Sequence, residues 1–205
     1  MRKVLAVGSM VAVAVMTAVA TGEAQTGLPV PVSIEARGGF AFPTGEWTDD
    51  VDLGTGVGFG VSAIVGVTPM INVYGGWERY SFELDDEGDL EGADVDAVDS
   101  GFRLGAEVAL PLAAPVSPFV FGGLTYSKLS VSASGGGASV EVDSDNSLGF
   151  EVGAGARIPL GTVIAFTPTI RYGSHSAEFD AFSEFGQEDV SVGRVTLDLA
   201  LRFSF

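Results

Sequence analysis

Three sets of residues in this chain are of types and spacings that can do chemistry. His175, in YGSHSAEFD, is the only histidine, with Ser174 and Ser176 beside it and Glu178 close by. A histidine, a serine and a carboxylate that converge can support acyl hydrolysis. Neighbouring residues on a strand point to opposite faces, however, so His175 and its flanking serines do not converge there. The expectation is a hydrogen-bonded histidine at an outer rim, with no catalytic residue assigned. A second set is acidic: DDEGDLEGADVDAVD (85–99) and DSDN (143–146) supply Asp85, Glu87, Asp89, Asp143 and Asp145. Clustered carboxylate oxygens are what Ca²⁺ and Mg²⁺ prefer. The spacing fails the EF-hand pattern, because Leu90 stands where the turn glycine belongs. A solvated, mutually repulsive surface is the plainer reading, with divalent cations as candidate partners at these segments. The third set is Glu35, Arg37, Arg103, Glu107, Glu151, Arg157, Arg171, Arg194, Asp198 and Arg202. These charges sit inside apolar segments instead of between them.

The segments that carry them alternate with a period of two, a strand signal. In VTLDLALRFSF (195–205), Val195, Leu197, Leu199, Leu201, Phe203 and Phe205 form one row, and Asp198 and Arg202 belong to the other. VSIEARGGFAF (32–42), VGFGVSAIVGV (57–67), GFRLGAEVAL (101–110), LGFEVGAGARI (148–158) and IAFTPTIRY (164–172) repeat the theme. Segments 71–84 and 119–131 are strand-like with blurred parity, and INVYGGWERYSF reads as changing face through a bulge near Gly75-Gly76. The connections alternate strictly between short turns rich in Pro, Gly and Thr and longer loops at about 43–56, 83–99, 132–147 and 177–190. SVSASGGGASVEV (130–142) within the third can rise as a hairpin with glycines at its tip.

Composition removes several function classes. The net charge of -17 is the wrong sign for nucleic acid. Without cysteine there is no disulfide framework or thiolate site, and with one histidine no cofactor is expected. Arg2 and Lys3 head an apolar run from Val4 to Ala20, followed by small residues in AVATGEAQ. This predicts a signal peptide over 1–24 cleaved after Ala24, with Ala20 as the rival site, and a single domain over 25–205.

Eight alternating strands with unlike ends predict an all-β fold: an eight-stranded antiparallel up-and-down transmembrane β-barrel after an N-terminal signal peptide. A soluble barrel also alternates, with its apolar row inward. The arginines separate the two cases. Turned toward lipid near the midplane, each costs roughly 2–4 kcal/mol; turned inward against carboxylates, the same residues can fill a narrow lumen. Glycines 39, 60, 105, 153 and 155 share the inward rows and leave room for long side chains. The expected lumen is therefore a charged plug, with Trp47, Trp77, Tyr74, Tyr80, Tyr126 and Tyr172 as candidate interfacial girdle residues.

SIEARGGFAFPTGEW, the repeated Gly-apolar strands and the closing ALRFSF resemble the outer-membrane β-barrel family that includes OmpA-like and OmpX-like small barrels. The resemblance implies an outer-membrane protein in contact with outer-membrane lipid. It also implies that Phe203 and Phe205 match the terminal signal read by the barrel-assembly machinery during biogenesis. A structural or surface-interaction role is the leading expectation. A small-solute or lipid conduit of the OmpW type is the alternative, and a lipid A acyl hydrolase the third. The His-x-Ser-Asn signature of lipid A deacylases is not reproduced, since Ala177 occupies the serine place.

Overall fold

Alternation over ten or more residues leaves a strand with one apolar and one polar face, and only closure on itself gives each face a uniform environment. A computed structural model describes residues 30–44, 54–83, 93–111, 115–135, 138–177 and 190–205. Their regular structure is β throughout: β1 (Val32–Thr44), β2 (Gly56–Gly66), β3 (Ile71–Glu83), β4 (Ala93–Ala109), β5 (Ser117–Gly135), β6 (Ala138–Asp143), β7 (Ser147–Pro159), β8 (Ile164–Ala177) and β9 (Val190–Ser204). Each strand pairs antiparallel with its sequence neighbour, except that β7 pairs with β5 across β6, and β9 returns to β1 from Ser33↔Ser204 to Thr44↔Gly193. The result is a closed barrel of eight staves. The ninth strand, β6, is the return arm of a hairpin on β5 and adds no stave.

Several staves run further than the alternation suggested at the long-loop end. β4 begins at Ala93 inside the expected 83–99 loop, and β8 continues to Ala177 past His175. On the fifth stave, β5 pairs Ser130↔Asp143 on β6 but Ser127↔Ser147 on β7, so residues 144–146 bulge out of the ladder. Ser144 stitches the bulge. Its N–H donates to the Leu129 carbonyl at 2.8 Å, and its Oγ accepts the Leu129 N–H at 2.9 Å. Ser144→Ala is expected to orphan that buried amide, cost roughly 1 kcal/mol locally and speed hydrogen exchange at Leu129 while distant wall amides keep their protection. Unchanged exchange at Leu129 would refute the assignment.

The expected change of face near Gly75-Gly76 does not occur. β3 keeps an unbroken register with β2 from Val57↔Ser81 to Gly66↔Asn72, and with β4 from Ile71↔Val108 to Glu83↔Asp96. Its inner face is Asn72, Tyr74, Gly76, Glu78, Tyr80 and Phe82, and its outer face includes Trp77, Arg79 and Ser81. The apparent blur came from aromatics inside and polar residues outside.

The apolar rows lie outside. Leu148, Leu104, Leu124 and Leu199 are each 60% exposed or more, whereas Glu35, Glu78, Glu151 and Arg171 are each 2% exposed. Unsolvated charge within and bare leucine without is the inverse of a water-soluble globule, and it suits a wall immersed in hydrocarbon. Among the described residues no helix is long and apolar enough to cross a membrane; the crossing is made by strands.

Candidate functional site: a charged lumen

Among the described residues, six arginines and six carboxylates turn inward: Arg37, Arg103, Arg157, Arg171, Arg194 and Arg202, with Glu35, Glu78, Asp99, Glu107, Glu151 and Asp198. Formal charge cancels among them, which matters because an unbalanced buried charge is costly.

The contacts rise in tiers from the short-turn end. Arg202 donates to Glu35 at 2.9 Å and, through two nitrogens, to both Glu107 oxygens at 2.6 and 2.9 Å. Glu35 and Arg202 are also directly opposed across the closure of first strand on last. Asn72 and Arg157 add donors to Glu107 at 2.7 and 2.6 Å, and Arg37 binds Glu35 at 2.7 Å. Above this, Glu151 accepts from the Tyr74 hydroxyl at 2.5 Å, from Arg103 at 2.8 and 3.0 Å, and from Arg171 at 2.8 Å. Arg171 also donates to Glu78 at 2.6 Å, to the Tyr80 hydroxyl at 3.1 Å and to Thr196 at 3.1 Å. In the top tier Arg194 donates to Glu78 at 2.5 Å and contacts Asp99, and Tyr80 donates to Asp198 at 2.6 Å. The rings take part as well: Arg103 lies 4.7 Å over Tyr74, and Arg194 5.0 Å over Tyr80.

One apolar cluster lies beyond this network at the long-loop end, and a second packs among its lower tiers. Ala41, Tyr80, Phe82, Ala97, Leu129 and Val192 pack together inside the long-loop end, and Ile64, Tyr74, Phe119 and Phe121 nearer the short turns. The space among Glu35, Arg103, Glu107, Phe119 and Arg202 measures about 10 Å³, room for one water at most.

The ten charges expected in the lumen all lie on its inner face. Glu78 and Asp99 are lumen residues the alternation missed, the first because β3 was misread and the second because it was assigned to a loop. Tyr74 and Tyr80 are corrections: both were expected in the interfacial girdle, and both are buried inside on carboxylates. Trp77, Tyr126 and Tyr172 do face outward, and Trp47 lies outside the described residues. His175 is buried, with Nε2 4.0 Å from Asp99, while Ser174 and Ser176 face the other way. Nε2 has no hydrogen-bond partner, which departs from the hydrogen-bonded rim histidine expected.

Asp85, Glu87 and Asp89 lie outside the described residues. Asp143 is an exposed ion pair with Lys128 at 2.5 Å. Hydrogen bonds from Lys128 and Ser130 hold its carboxyl below the usual aspartate range. Among the described residues no three His, Asp or Glu side chains gather as a metal site. Phe203 faces outward opposite Ile34, and the Phe205 N–H donates to the Val32 carbonyl at 2.9 Å.

Solved structures that share this architecture are outer-membrane barrels. Neisserial surface protein A matches with a TM-score of 0.59 at 15% identity, over 85% of this chain and 97% of its own. A major outer membrane protein from Thermus thermophilus matches at 0.60 and 17%, over 87% and 100%. Ail, the attachment invasion locus protein of Yersinia pestis, matches at 0.51 and 16%, over 86% and 100%. No curated protein sequence matches. The family model described as outer membrane protein beta-barrel domain matches residues 5–203. Inverted polarity, a closed eight-stave wall and that match together make the chain a member of the outer-membrane protein β-barrel family, resident in the outer membrane.

Proposed function

We propose that this barrel is a closed, non-enzymatic structural element of the outer membrane that carries an acidic surface on its long loops. The observation behind this is the packed lumen: twelve balanced charges among the described residues, most of them hydrogen-bonded within the network, with an apolar cluster across the long-loop end and space for about one water in the lower tier. A conduit needs a continuous wet path, and the Tyr80–Phe82–Leu129 cluster stands across it. Acyl hydrolysis needs a serine within reach of its base, and the serines flanking His175 lie on the opposite side of the wall.

Planar-bilayer recording tests the closed state. The barrel reconstituted at high density is expected to give flat traces across the voltage range. Discrete, reproducible conductance steps from wild-type protein would overturn the structural reading in favour of a conduit. A second arm tests for chemistry: outer-membrane lipid incubated with the barrel is expected to return with its acyl chains intact.

A further inference from the structure

The six lumen arginines leave two basic residues on the described strands, Arg79 and Lys128, and these two are neighbours. The register runs Arg79↔Ser100↔Lys128 across β3, β4 and β5. All three residues share the outward parity, so their Cα atoms lie in one row, with those of Arg79 and Lys128 about 10 Å apart, two strand spacings. Long side chains flanking a hydroxyl at that distance can converge on a single anion.

The rows beneath supply the rest of a ligand's shape. One step toward the midplane the register runs Trp77↔Phe102↔Tyr126, and one step further Gly75↔Leu104↔Leu124. Phe59 packs edge-on against Trp77 at 5.8 Å and stiffens the patch from the β2 side. Leu104 and Leu124 are 67% and 61% exposed, while Gly75 is a shallow gap between them and β2. One step outward from the cations come Ser81, Val98 and Ser130. The depth order on this face is therefore aliphatic, aromatic, cationic with hydroxyl.

We infer that the outward face of β3–β5 is a binding site for a phosphate-bearing lipid headgroup of the outer leaflet, held by Arg79, Ser100 and Lys128 with its acyl chains over Leu104 and Leu124. Two features support it. A chain of net charge -17 repels anions in general, so adjacent outward cations are the exception to its surface. They lie at the long-loop edge of the apolar band, where outer-leaflet headgroups lie. Asp143, exposed on β6 opposite Ser130, pairs with Lys128 at 2.5 Å from the edge of β5 away from β4, so this ammonium already holds one oxyanion and must swing toward Ser100 to share another with Arg79. An entering phosphate displaces that carboxylate from Lys128 and keeps Arg79 to itself.

The probe is dibrominated phosphatidic acid, a phosphate monoester lipid whose bromines quench a nearby tryptophan. Trp47→Phe leaves Trp77, of the chain's two tryptophans, as the single reporter in the row below the cations. In phosphatidylcholine vesicles, quenching by dibrominated phosphatidic acid is expected to exceed that by dibrominated phosphatidylcholine by about fivefold in relative association, the worth of one well-placed basic side chain at a membrane surface. Arg79→Gln/Lys128→Gln should bring the ratio to unity, and Asp143→Asn should raise it. Arg79→Gln alone, at an exposed position with no lumen contact, guards against misfolding of the double variant. Equal quenching in the parent protein, or a preference that survives the double variant, overturns the site. Abolition of the preference by millimolar inorganic phosphate would show a free-anion site and overturn the lipid assignment.

Discussion

Arg171→Met is expected to lower the unfolding free energy of the barrel by about 3–5 kcal/mol, the usual consequence of leaving buried charges without their partner. The side chain is 2% exposed, sits among Glu78, Glu151 and Asp198, and donates to Tyr80 and Thr196 as well. Its removal leaves six carboxylates facing five guanidinium groups, with the excess negative charge at the most enclosed level of the lumen. Arg103 and Arg194 already serve Glu151 and Glu78, and the one unbonded nitrogen nearby, Arg103 Nη1 at 3.9 Å from Glu78, adds no charge to replace the one removed. The measurement is a urea titration of the folded band in vesicles, read by its mobility on unheated gels. Arg157→Met provides the contrast. That side chain is 27% exposed and pairs with Glu107, which keeps Arg202 and Asn72, so a loss of about 1 kcal/mol or less is expected. Adding Glu151→Gln to Arg171→Met restores the charge balance and should recover part of the loss, a coupling that a double-mutant cycle measures. Equal losses for the two arginines, or no recovery, would show that the lumen is wet enough to screen its charges.

Much of this architecture was legible because lipid and lumen make opposite demands on successive residues. Where the outer face is aliphatic and the inner face charged, as at Ile34–Glu35–Ala36–Arg37 or Leu197–Asp198–Leu199, hydropathy alone gives the direction of each side chain. The same rule fails on β3, whose inner face carries Tyr74, Tyr80 and Phe82 and whose outer face carries Gly75, Arg79 and Ser81. There the polarity is reversed at the long-loop end for a physical reason. The lumen must close against water with apolar side chains, while the wall beyond the hydrocarbon band no longer needs them. Glu78 and Asp99 were lost to the same effect, since each lies among residues of misleading polarity. The hairpin above the wall was legible from Gly135-Gly136-Gly137 between two Ser/Val runs, but its bulge was not, because Ser144 looks like any loop serine until Leu129 is set beside it.

The glycine content acquires a reason once the register is known. Inward charges and rings repeatedly face an inward glycine on the next strand: Arg37↔Gly60, Tyr80↔Gly58, Arg103↔Gly76, Tyr74↔Gly105 and Arg171↔Gly153. Eight strands enclose a bore about one layer of side chains wide. A large residue at one position therefore takes the volume that its neighbour's side chain would need, and close packing leaves no slack to share. Alternation of large with absent side chains is thus the lumen's packing rule, and the arginines can cross the bore because the glycine positions beside them are empty.

Gly58→Ala tests that rule at a single methyl group. A Cβ there would overlap the Tyr80 ring and lie 2.5 Å from the Arg79 carbonyl oxygen. Backbone cannot yield at that distance, and the ring is anchored by its hydroxyl on Asp198 and by Arg194 stacked 5.0 Å away. Overpacking of a filled interior costs about 1–3 kcal/mol, and the upper end is expected here because relief requires Tyr80 to release two partners. Gly38→Ala is the control, one strand away on the lipid face, where the nearest atom to a new Cβ is a carbonyl oxygen at 3.6 Å. It should leave the urea midpoint within the scatter of the parent protein. The pair of variants separates packing from glycine's backbone freedom, because both substitutions add the same methyl to an extended strand. If Gly58→Ala were as harmless as Gly38→Ala, the lumen would have slack at the level of Tyr80, and the closed state argued from its packing would lose its foundation.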